Sequence, residues 1–172
     1  MKYVFIVNPK SGKSEIKEEL LNSLEKYKSK IEYEIYFTKE EKDATRFVNE
    51  YCKSCDEDVL FFSCGGDGTL NEVVSGAIHY SNAIVTCFPC GSGNDFVKIY
   101  GGKEKFLNLD NLLNGEEIKI DVMKVNENKY SINVKIGICL ITHTLKSLIV
   151  CFSTPFDASI TITAESAAIS VL

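Results

Sequence analysis

Apolar segments that run straight into glycine-bearing loops occur three times in this sequence. The segments Tyr3–Val7, Val59–Phe62 and Ile84–Phe88 have the length and composition of buried strands. Each is followed by a loop that contains glycine, in the order Asn8–Gly12, Cys64–Gly68 and Pro89–Asp95. Helical spacing of apolar residues follows the first two loops, at Ile16, Leu20, Leu21, Leu24 and at Leu70, Val73, Val74, Ala77. Strands that alternate with helices form a mainly parallel sheet, and its ligands bind at the carboxyl ends of the strands.

Further strand and helix signals fill the rest of residues 1–135. Residues 31–37 alternate like a half-exposed strand. The helix after them is marked by apolar residues at helical spacing, Ala44, Phe47, Val48 and Tyr51. Residues 103–114 predict one more helix, and residues 116–125 with 129–133 predict a hairpin. We therefore predict an α/β fold, with a mainly parallel sheet and helices on both of its faces.

Charged residues become rare after residue 135. Residues 136–172 contain only Lys146, Asp157 and Glu165, amid serine, threonine, isoleucine and alanine. The 172 residues of the whole chain leave room for about one domain. We therefore predict an α/β lobe in residues 1–135 and an atypical low-charge tail in residues 136–172.

Two stretches of the sequence are apolar enough to be compared with export signals and membrane helices. Residues 1–9 are too short in apolar length for a signal peptide and lack a small-residue cleavage site, so we predict a cytosolic strand. Residues 136–152 include His143 and Lys146 and fall short of the roughly 20 apolar residues of a membrane helix. A core element or an interfacial segment is therefore expected there.

The charge balance limits the ligands that the chain can bind. The sequence has 19 lysines and arginines against 24 acidic residues, a net charge of −5 with no basic run. This balance argues against a nucleic-acid partner held by phosphate charge. Arg46 is the only arginine, so a phosphate site must depend on backbone amides and lysines.

The second glycine loop has the chemistry of a phosphate site. Gly65, Gly66 and Gly68 allow a tight turn with uncovered amides, at a helix start that attracts anions. The carboxylate of Asp67 would repel a bare phosphate, so its natural use is to hold Mg²⁺, directly or through water, against nucleotide oxygens. The alternative is a sharp turn in which residues 69–72 form a capping box for the helix.

Three motifs in order resemble the diacylglycerol kinase catalytic family of lipid kinases. They are Asn8-Pro9-Lys10-Ser11-Gly12, Gly65-Gly66-Asp67-Gly68-Thr69-Leu70-Asn71-Glu72 and Pro89-Cys90-Gly91-Ser92-Gly93-Asn94-Asp95-Phe96. The resemblance covers about residues 1–135. It implies phosphoryl transfer from ATP, with Mg²⁺, to the hydroxyl of a lipid such as diacylglycerol at a membrane surface. NAD kinases share only the central motif and rank second, and a non-catalytic nucleotide-binding module is a further alternative.

Carried over residue by residue, the resemblance implies a set of nucleotide contacts. They are Asn8, Pro9, Lys10, Ser11, Gly12, Thr38, Gly66, Asp67, Gly68, Thr69, Leu70, Asn71, Glu72 and Ser92. Asp67 is the residue expected to be linked to the metal. Thr38 has an alternative role, because residues 38–41 also match a capping box for the second helix. Asn94 and Asp95 match helix-start residues equally well.

The seven cysteines predict free thiols rather than a disulfide framework. Two Cys-x-x-Cys pairs, Cys52/Cys55 and Cys87/Cys90, have the spacing that zinc sites use. The segment between them is longer than the usual loop of about 15–20 residues and contains a complete strand–loop–helix unit. We therefore expect buried thiols and no structural zinc.

The resemblance also implies a second, mostly β lobe with an Asp-Gly-Glu element that acts as the catalytic base. The only Asp-Gly pair here is Asp67-Gly68, so no catalytic residue is assigned. Residues 136–172 are expected to be a truncated or frame-shifted start of that lobe, which would leave this chain a poor kinase on its own. A compact variant would instead need its base from Asp157 or Glu165.

Overall fold

One sheet with helices packed on it makes up the described part of the chain. The computed structural model describes residues 1–126, 129–131 and 145–152. Its strands are β1 (Lys2–Val7), β2 (Tyr33–Phe37), β3 (Val59–Gly65), β4 (Ala83–Pro89), β5 (Glu116–Asn126), β6 (Lys129–Ser131) and β7 (Leu145–Phe152). Its helices are α1 (Ser14–Tyr27), α2 (Asp43–Ser54), α3 (Asp67–Ala77), α4 (Asp95–Ile99), α5 (Lys103–Phe106) and α6 (Leu109–Leu113).

The sheet has the strand order β2-β1-β3-β4-β7-β5-β6. Strands β2, β1, β3, β4 and β7 run parallel to their neighbours in that order. Strand β5 is antiparallel to both β7 and β6. The predicted α/β fold with a mainly parallel sheet is confirmed, and the predicted hairpin is formed by β5 and β6.

Burial along the strands explains their sequence patterns. Every residue of β3 and β4 is buried, which is why both strands are apolar without alternation. Phe5 of β1 stacks on Phe62 of β3 with ring centroids 4.2 Å apart, in the centre of the core. Strand β2 lies at the edge of the sheet, so each of its side chains is half-buried or exposed and none is fully buried.

Helices cover both faces because successive strands are added first on one side of β1 and then on the other. From β1 it moves outward to β2, and from β2 it crosses back to β3 on the other side of β1. Right-handed crossovers then place α1 on one face and α2 with α3 on the other. Helices α2 and α3 touch closely, since a Cβ added at Gly76 would lie 2.7 Å from the carbonyl oxygen of Thr45. The Thr45 hydroxyl also donates to the carbonyl of Glu72 (2.9 Å).

Residues 103–114 form two short helices, so the prediction of one continuous helix was wrong. Helix α5 ends at Phe106, and α6 begins at Leu109. The Asn108 side chain accepts a hydrogen bond from the backbone N–H of Asn111 at 3.1 Å. An asparagine that caps a new helix in this way competes with continuation of the previous one.

Strand β7 places part of the low-charge segment inside the sheet. Residues 145–152 pair with β4 on one side and with β5 on the other. This part of the predicted core element is therefore a sheet strand, whereas residues 136–144 lie outside the described residues. Among the helices of the described ranges, none has both the length and the apolar character needed to cross a bilayer. The division of the chain at residue 136 stays a prediction.

Candidate functional site

The loops after β1, β2, β3 and β4 leave the same edge of the sheet at nearly the same level. Val7, the last residue of β1, is in register with Phe37 of β2 and with Cys64 of β3. Gly65 of β3 is in register with Pro89 of β4. The strand order reverses at β1, and the crevice outside such a switch point is the usual ligand site of an open α/β sheet.

A cleft of about 220 Å³ opens at this switch point. Eight residues line it: Asn8, Lys10, Thr38, Lys39, Glu40, Glu41, Thr69 and Glu72. Five of these come from the predicted contacts, although they belong to three separate parts of the sequence. Lys39, Glu40 and Glu41, which directly follow Thr38 in the loop at the end of β2, were not among the predicted contacts. Their position in that loop was the only available signal.

Asn8 connects the first motif to the second. Its side-chain amide donates to the hydroxyl of Thr69 (3.1 Å), and its side-chain oxygen accepts from the backbone N–H of Lys10 (3.0 Å). Thr69 is the third residue of α3, whose N-terminal cap is Gly66 without a side-chain hydrogen bond. The alternative in which residues 69–72 form a capping box was therefore wrong.

Thr38 is held at the end of β2 by its backbone. Its N–H donates to the carbonyl of Val7 (3.0 Å), and the residue lines the cleft. Helix α2 begins at Asp43, capped by Lys42 with a positive φ of 64°. Because Thr38 lies five residues before that helix, the alternative capping box at residues 38–41 was also wrong.

The three glycine loops pack directly against one another. Gly12 has φ +63°, and a Cβ added there would lie 1.7 Å from the carbonyl oxygen of Cys90. The backbone N–H groups of Cys90 and Gly91 both donate to the carbonyl of Gly65, at 2.9 and 3.1 Å. A Cβ at Gly91 would lie 2.6 Å from the Cα of Gly66. Glycine at positions 12 and 91 is therefore required by contacts between the loops themselves.

Asp67 ties the second loop to the third. Its carboxylate accepts the backbone N–H groups of Asp95 (3.1 Å) and Phe96 (3.4 Å), the first two residues of α4. Asn94 precedes that helix with φ 49° and donates from its side chain to the carbonyl of Gly91. Helix α4 therefore begins at Asp95, in agreement with the alternative in which Asn94 and Asp95 are helix-start residues. The anchoring role of Asp67 was missed, because it joins residues far apart in the sequence.

The other predicted contacts, Asp67 among them, do not line this cleft. Pro9 is exposed, and its carbonyl accepts from the ammonium group of Lys17 (2.7 Å). Ser11 is half-buried and donates its N–H to the carbonyl of Asn8 (3.1 Å). Leu70 is only 5% exposed, so its side chain belongs to the core. The remaining contacts are placed near the amino end of α3 or in the third loop: Gly66, Gly68 and Asn71 in or beside α3, and Ser92, exposed, after β4.

The four buried cysteines of the described residues lie in environments that disfavour thiolate. Burial raises the pKa of Cys52 and of Cys90 to about 11. Burial also raises the pKa of Cys64 and of Cys87 above the ordinary thiol value. In the described ranges, His, Cys, Asp and Glu side chains form no cluster of three or more that could hold a metal ion.

We expect no stoichiometric zinc in protein purified without added metal. Zinc binds the thiolate form of cysteine, and the raised pKa values keep Cys52 and Cys90 protonated near neutral pH. Elemental analysis of the purified chain measures this directly. One zinc ion per chain would contradict the expectation.

The sheet, its switch point and the three linked loops define the α/β class of diacylglycerol kinase-like folds. The sequence matches the diacylglycerol kinase catalytic domain over residues 2–125. The chain belongs to this family.

Individual relatives agree with this assignment. Diacylglycerol kinases of Staphylococcus aureus, from strain bovine RF122 / ET3-1 and from strain MRSA252, are each 38% identical over 135 residues. Each match covers 77% of this chain and 42% of the relative, so the chain spans less than half the length of these curated proteins. A crystal structure of a diacylglycerol kinase from Bacillus anthracis str. Sterne superposes with a TM-score of 0.60 at 27% identity. That superposition covers 74% of this chain and 48% of the other.

Proposed function

We propose that this chain forms the Mg²⁺–ATP-binding lobe of a lipid kinase. The observation that carries the proposal is the cleft at the switch point, where predicted contacts from separate motifs lie together. Asn8, Thr38 and Thr69 offer it neutral hydrogen-bonding groups, while Lys10 adds a positive charge. The family supports a kinase activity, and the order of its motifs in this chain supports ATP as the phosphoryl donor.

Backbone amides at the amino end of α3 are suited to binding phosphate oxygens. The first N–H groups of a helix have no partner within it, and the helix dipole favours negative charge there. A Cβ built at Gly68 meets no atom within 4 Å, so the protein leaves this part of the helix start uncovered. The only arginine pairs with Glu40 (2.8 Å) and Asp43 (2.9 Å), which leaves phosphate binding to amides and lysines.

The donor set fits a magnesium ion that arrives with the nucleotide. Mg²⁺ commonly keeps several waters and takes one or two carboxylates together with substrate phosphates. Asp67, at the start of α3, is the proposed carboxylate, bound directly or through water. When bound, Mg²⁺ neutralises charge on the phosphates during transfer. The residues of this chain contribute by positioning the nucleotide in the cleft.

The proposed acceptor is the hydroxyl of diacylglycerol or a related lipid, reached by a cytoplasmic protein at the inner surface of a membrane. This part of the proposal is supported by the similarity of the chain to the Staphylococcus aureus diacylglycerol kinases. Phosphate transfer from ATP to diacylglycerol, compared with transfer to NAD, tests it against an NAD kinase-like activity. Transfer to NAD and not to diacylglycerol would contradict the lipid acceptor, whereas nucleotide binding without either transfer is expected both of a non-catalytic nucleotide-binding module and of a chain that is a poor kinase on its own.

Replacing Asp67 with alanine is expected to weaken Mg²⁺–ATP binding about tenfold or more, because the carboxylate proposed to hold the metal is lost. Lys10→Ala should cost less than about fivefold, since an exposed charge contributes little. Titration calorimetry on both variants measures the difference. Equal small effects would contradict the assignment of Asp67.

The anchoring of α4 by Asp67 requires a second arm to this experiment. If Asp67 acts through the metal, the difference between wild type and Asp67→Ala should disappear for ATP in EDTA. If Asp67 only holds the third loop, the same loss should appear with and without Mg²⁺. Circular dichroism of both proteins confirms that each is folded during the titration.

A further inference from the structure

One wall of the cleft consists of four consecutive residues, Thr38 to Glu41, in the loop between β2 and α2. Besides the carbonyl of Glu40, which accepts from the N–H of Asp43 (3.4 Å), the backbone of this wall is attached at two points. Thr38 donates its N–H to the carbonyl of Val7 in β1 (3.0 Å). Lys39 donates its N–H to the carboxylate of Asp43 (2.8 Å). The second attachment is made by a residue that does not line the cleft.

Asp43 is a buried carboxylate with three donors from three elements. It is 5% exposed and is the first residue of α2. Besides the Lys39 N–H it accepts from the Tyr36 hydroxyl (3.1 Å) in β2 and from the Arg46 guanidinium (2.9 Å) in α2. The Lys39 N–H, together with the Arg46 and Tyr36 donors, outweighs burial and lowers the pKa of Asp43 below its ordinary value. The carboxylate is therefore charged at neutral pH and is fully engaged by its neighbours.

This arrangement joins the sheet edge, the cleft wall and α2 at one buried charge. The loop turns sharply into the helix at Lys42, whose φ of 64° is uncommon for a residue other than glycine. A loop with such a turn needs an anchor to keep one conformation, since loops otherwise sample several. Charge-assisted hydrogen bonds to a buried carboxylate are among the stronger anchors that a protein can form.

We propose that Asp43 is a positioning residue for nucleotide binding, which acts through Lys39 by fixing the wall Thr38–Glu41. The inference rests on the proposed function, because it assumes that the nucleotide occupies this cleft. Asp43 itself does not contact the nucleotide. Its contribution is that the Thr38 side chain is already in place before the ligand arrives, so less ordering is needed on binding.

The expected result is about tenfold weaker Mg²⁺–ATP binding in Asp43→Ala, measured by titration calorimetry at fixed Mg²⁺. A structural role alone could also lower affinity, so the decisive measurement is a double-mutant cycle with Thr38→Ala. Thr38→Ala should weaken binding several-fold in the wild type and less than about twofold in the Asp43→Ala background. Asn8, in the loop after β1, bonds to Thr69 and not to Asp43, so Asn8→Ala should cost the same in both backgrounds.

Ser75→Ala is the matched control for a loss of stability away from the cleft. The Ser75 hydroxyl accepts from the backbone N–H of Tyr130 (3.1 Å) near the carboxyl end of α3. Its removal should lower the melting temperature and leave nucleotide affinity unchanged. If Asp43→Ala does not fold, Asp43→Asn keeps one acceptor oxygen, should lose about threefold in affinity and should still shrink the Thr38→Ala effect.

The outcomes separate this inference from the proposed function. Absence of ATP binding by the wild-type chain would contradict the proposed function, and this inference with it. Wild-type binding that is unchanged in Asp43→Ala would overturn only the inference. A full-sized effect of Thr38→Ala in whichever Asp43 variant folds would also overturn it.

Discussion

Gly12→Ala is expected to lower the free energy of unfolding by about 2–5 kcal/mol. About 1–2 kcal/mol comes from placing a side chain on a backbone with positive φ. A further 1–3 kcal/mol or so comes from overpacking, because the new Cβ would lie 1.7 Å from the carbonyl oxygen of Cys90. The first and third loops would have to separate to relieve this contact. Urea denaturation followed by circular dichroism measures the change.

Gly102→Ala is the control that isolates backbone strain. Gly102 also has a positive φ of 95°, but a Cβ there would approach only the side-chain end of Glu104, at 3.4 Å. Gly102→Ala should therefore lower the free energy of unfolding by less than Gly12→Ala does. Equal losses in the two variants would contradict the close contact between the first and third loops.

Gly68→Val is expected to weaken Mg²⁺–ATP binding by about 100-fold or more while the protein stays folded. The added side chain meets no protein atom within 4 Å of its Cβ and replaces a glycine inside a helix. Because valine is a better helix former than glycine, stability should stay within about 1 kcal/mol of the wild type. The branched side chain would cover the amides at the start of α3. Calorimetric titration paired with thermal unfolding measures both quantities.

Gly76→Ala, in the same helix, should give the opposite pattern. Its Cβ would lie 2.7 Å from the carbonyl oxygen of Thr45 and 2.8 Å from the Cβ of Val48. We expect it to cost about 1–3 kcal/mol of stability through overpacking, with nucleotide affinity retained. If Gly68→Val instead unfolds the chain, Gly68 serves the turn and not a ligand.

The sequence was sufficient for the order and type of most elements because their signals are local. Apolar runs marked β3 and β4, and the alternation in residues 31–37 marked β2 as half-exposed. The split of residues 103–114 was missed, because helical spacing continues through Asn108 while its side chain caps a new helix. Both capping boxes were wrong because α2 begins at Asp43 and α3 begins at Asp67, so neither threonine stands at a cap position.

The location of the candidate site could be predicted from the sequence, but the contacts between its loops could not. Parallel strands bring their carboxyl ends together, so motifs far apart in sequence could be expected at one edge. The contacts of Asp67 with α4 and of Gly12 with Cys90 depend on how separate loops meet, which no local pattern encodes. Asp43 illustrates the same limit, since it begins α2 and its carboxylate also holds the cleft wall.

The position of β7 between β4 and β5 has a consequence for the chain as it leaves the ribosome. Strand β4 has β3 on one side and receives its other neighbour only when residues 145–152 have been synthesised. Until then β4, whose residues are all buried in the complete sheet, has one edge without a partner strand. Open apolar edges of this kind pair readily with other chains, so nascent and partly unfolded molecules carry an aggregation hazard that the finished sheet does not.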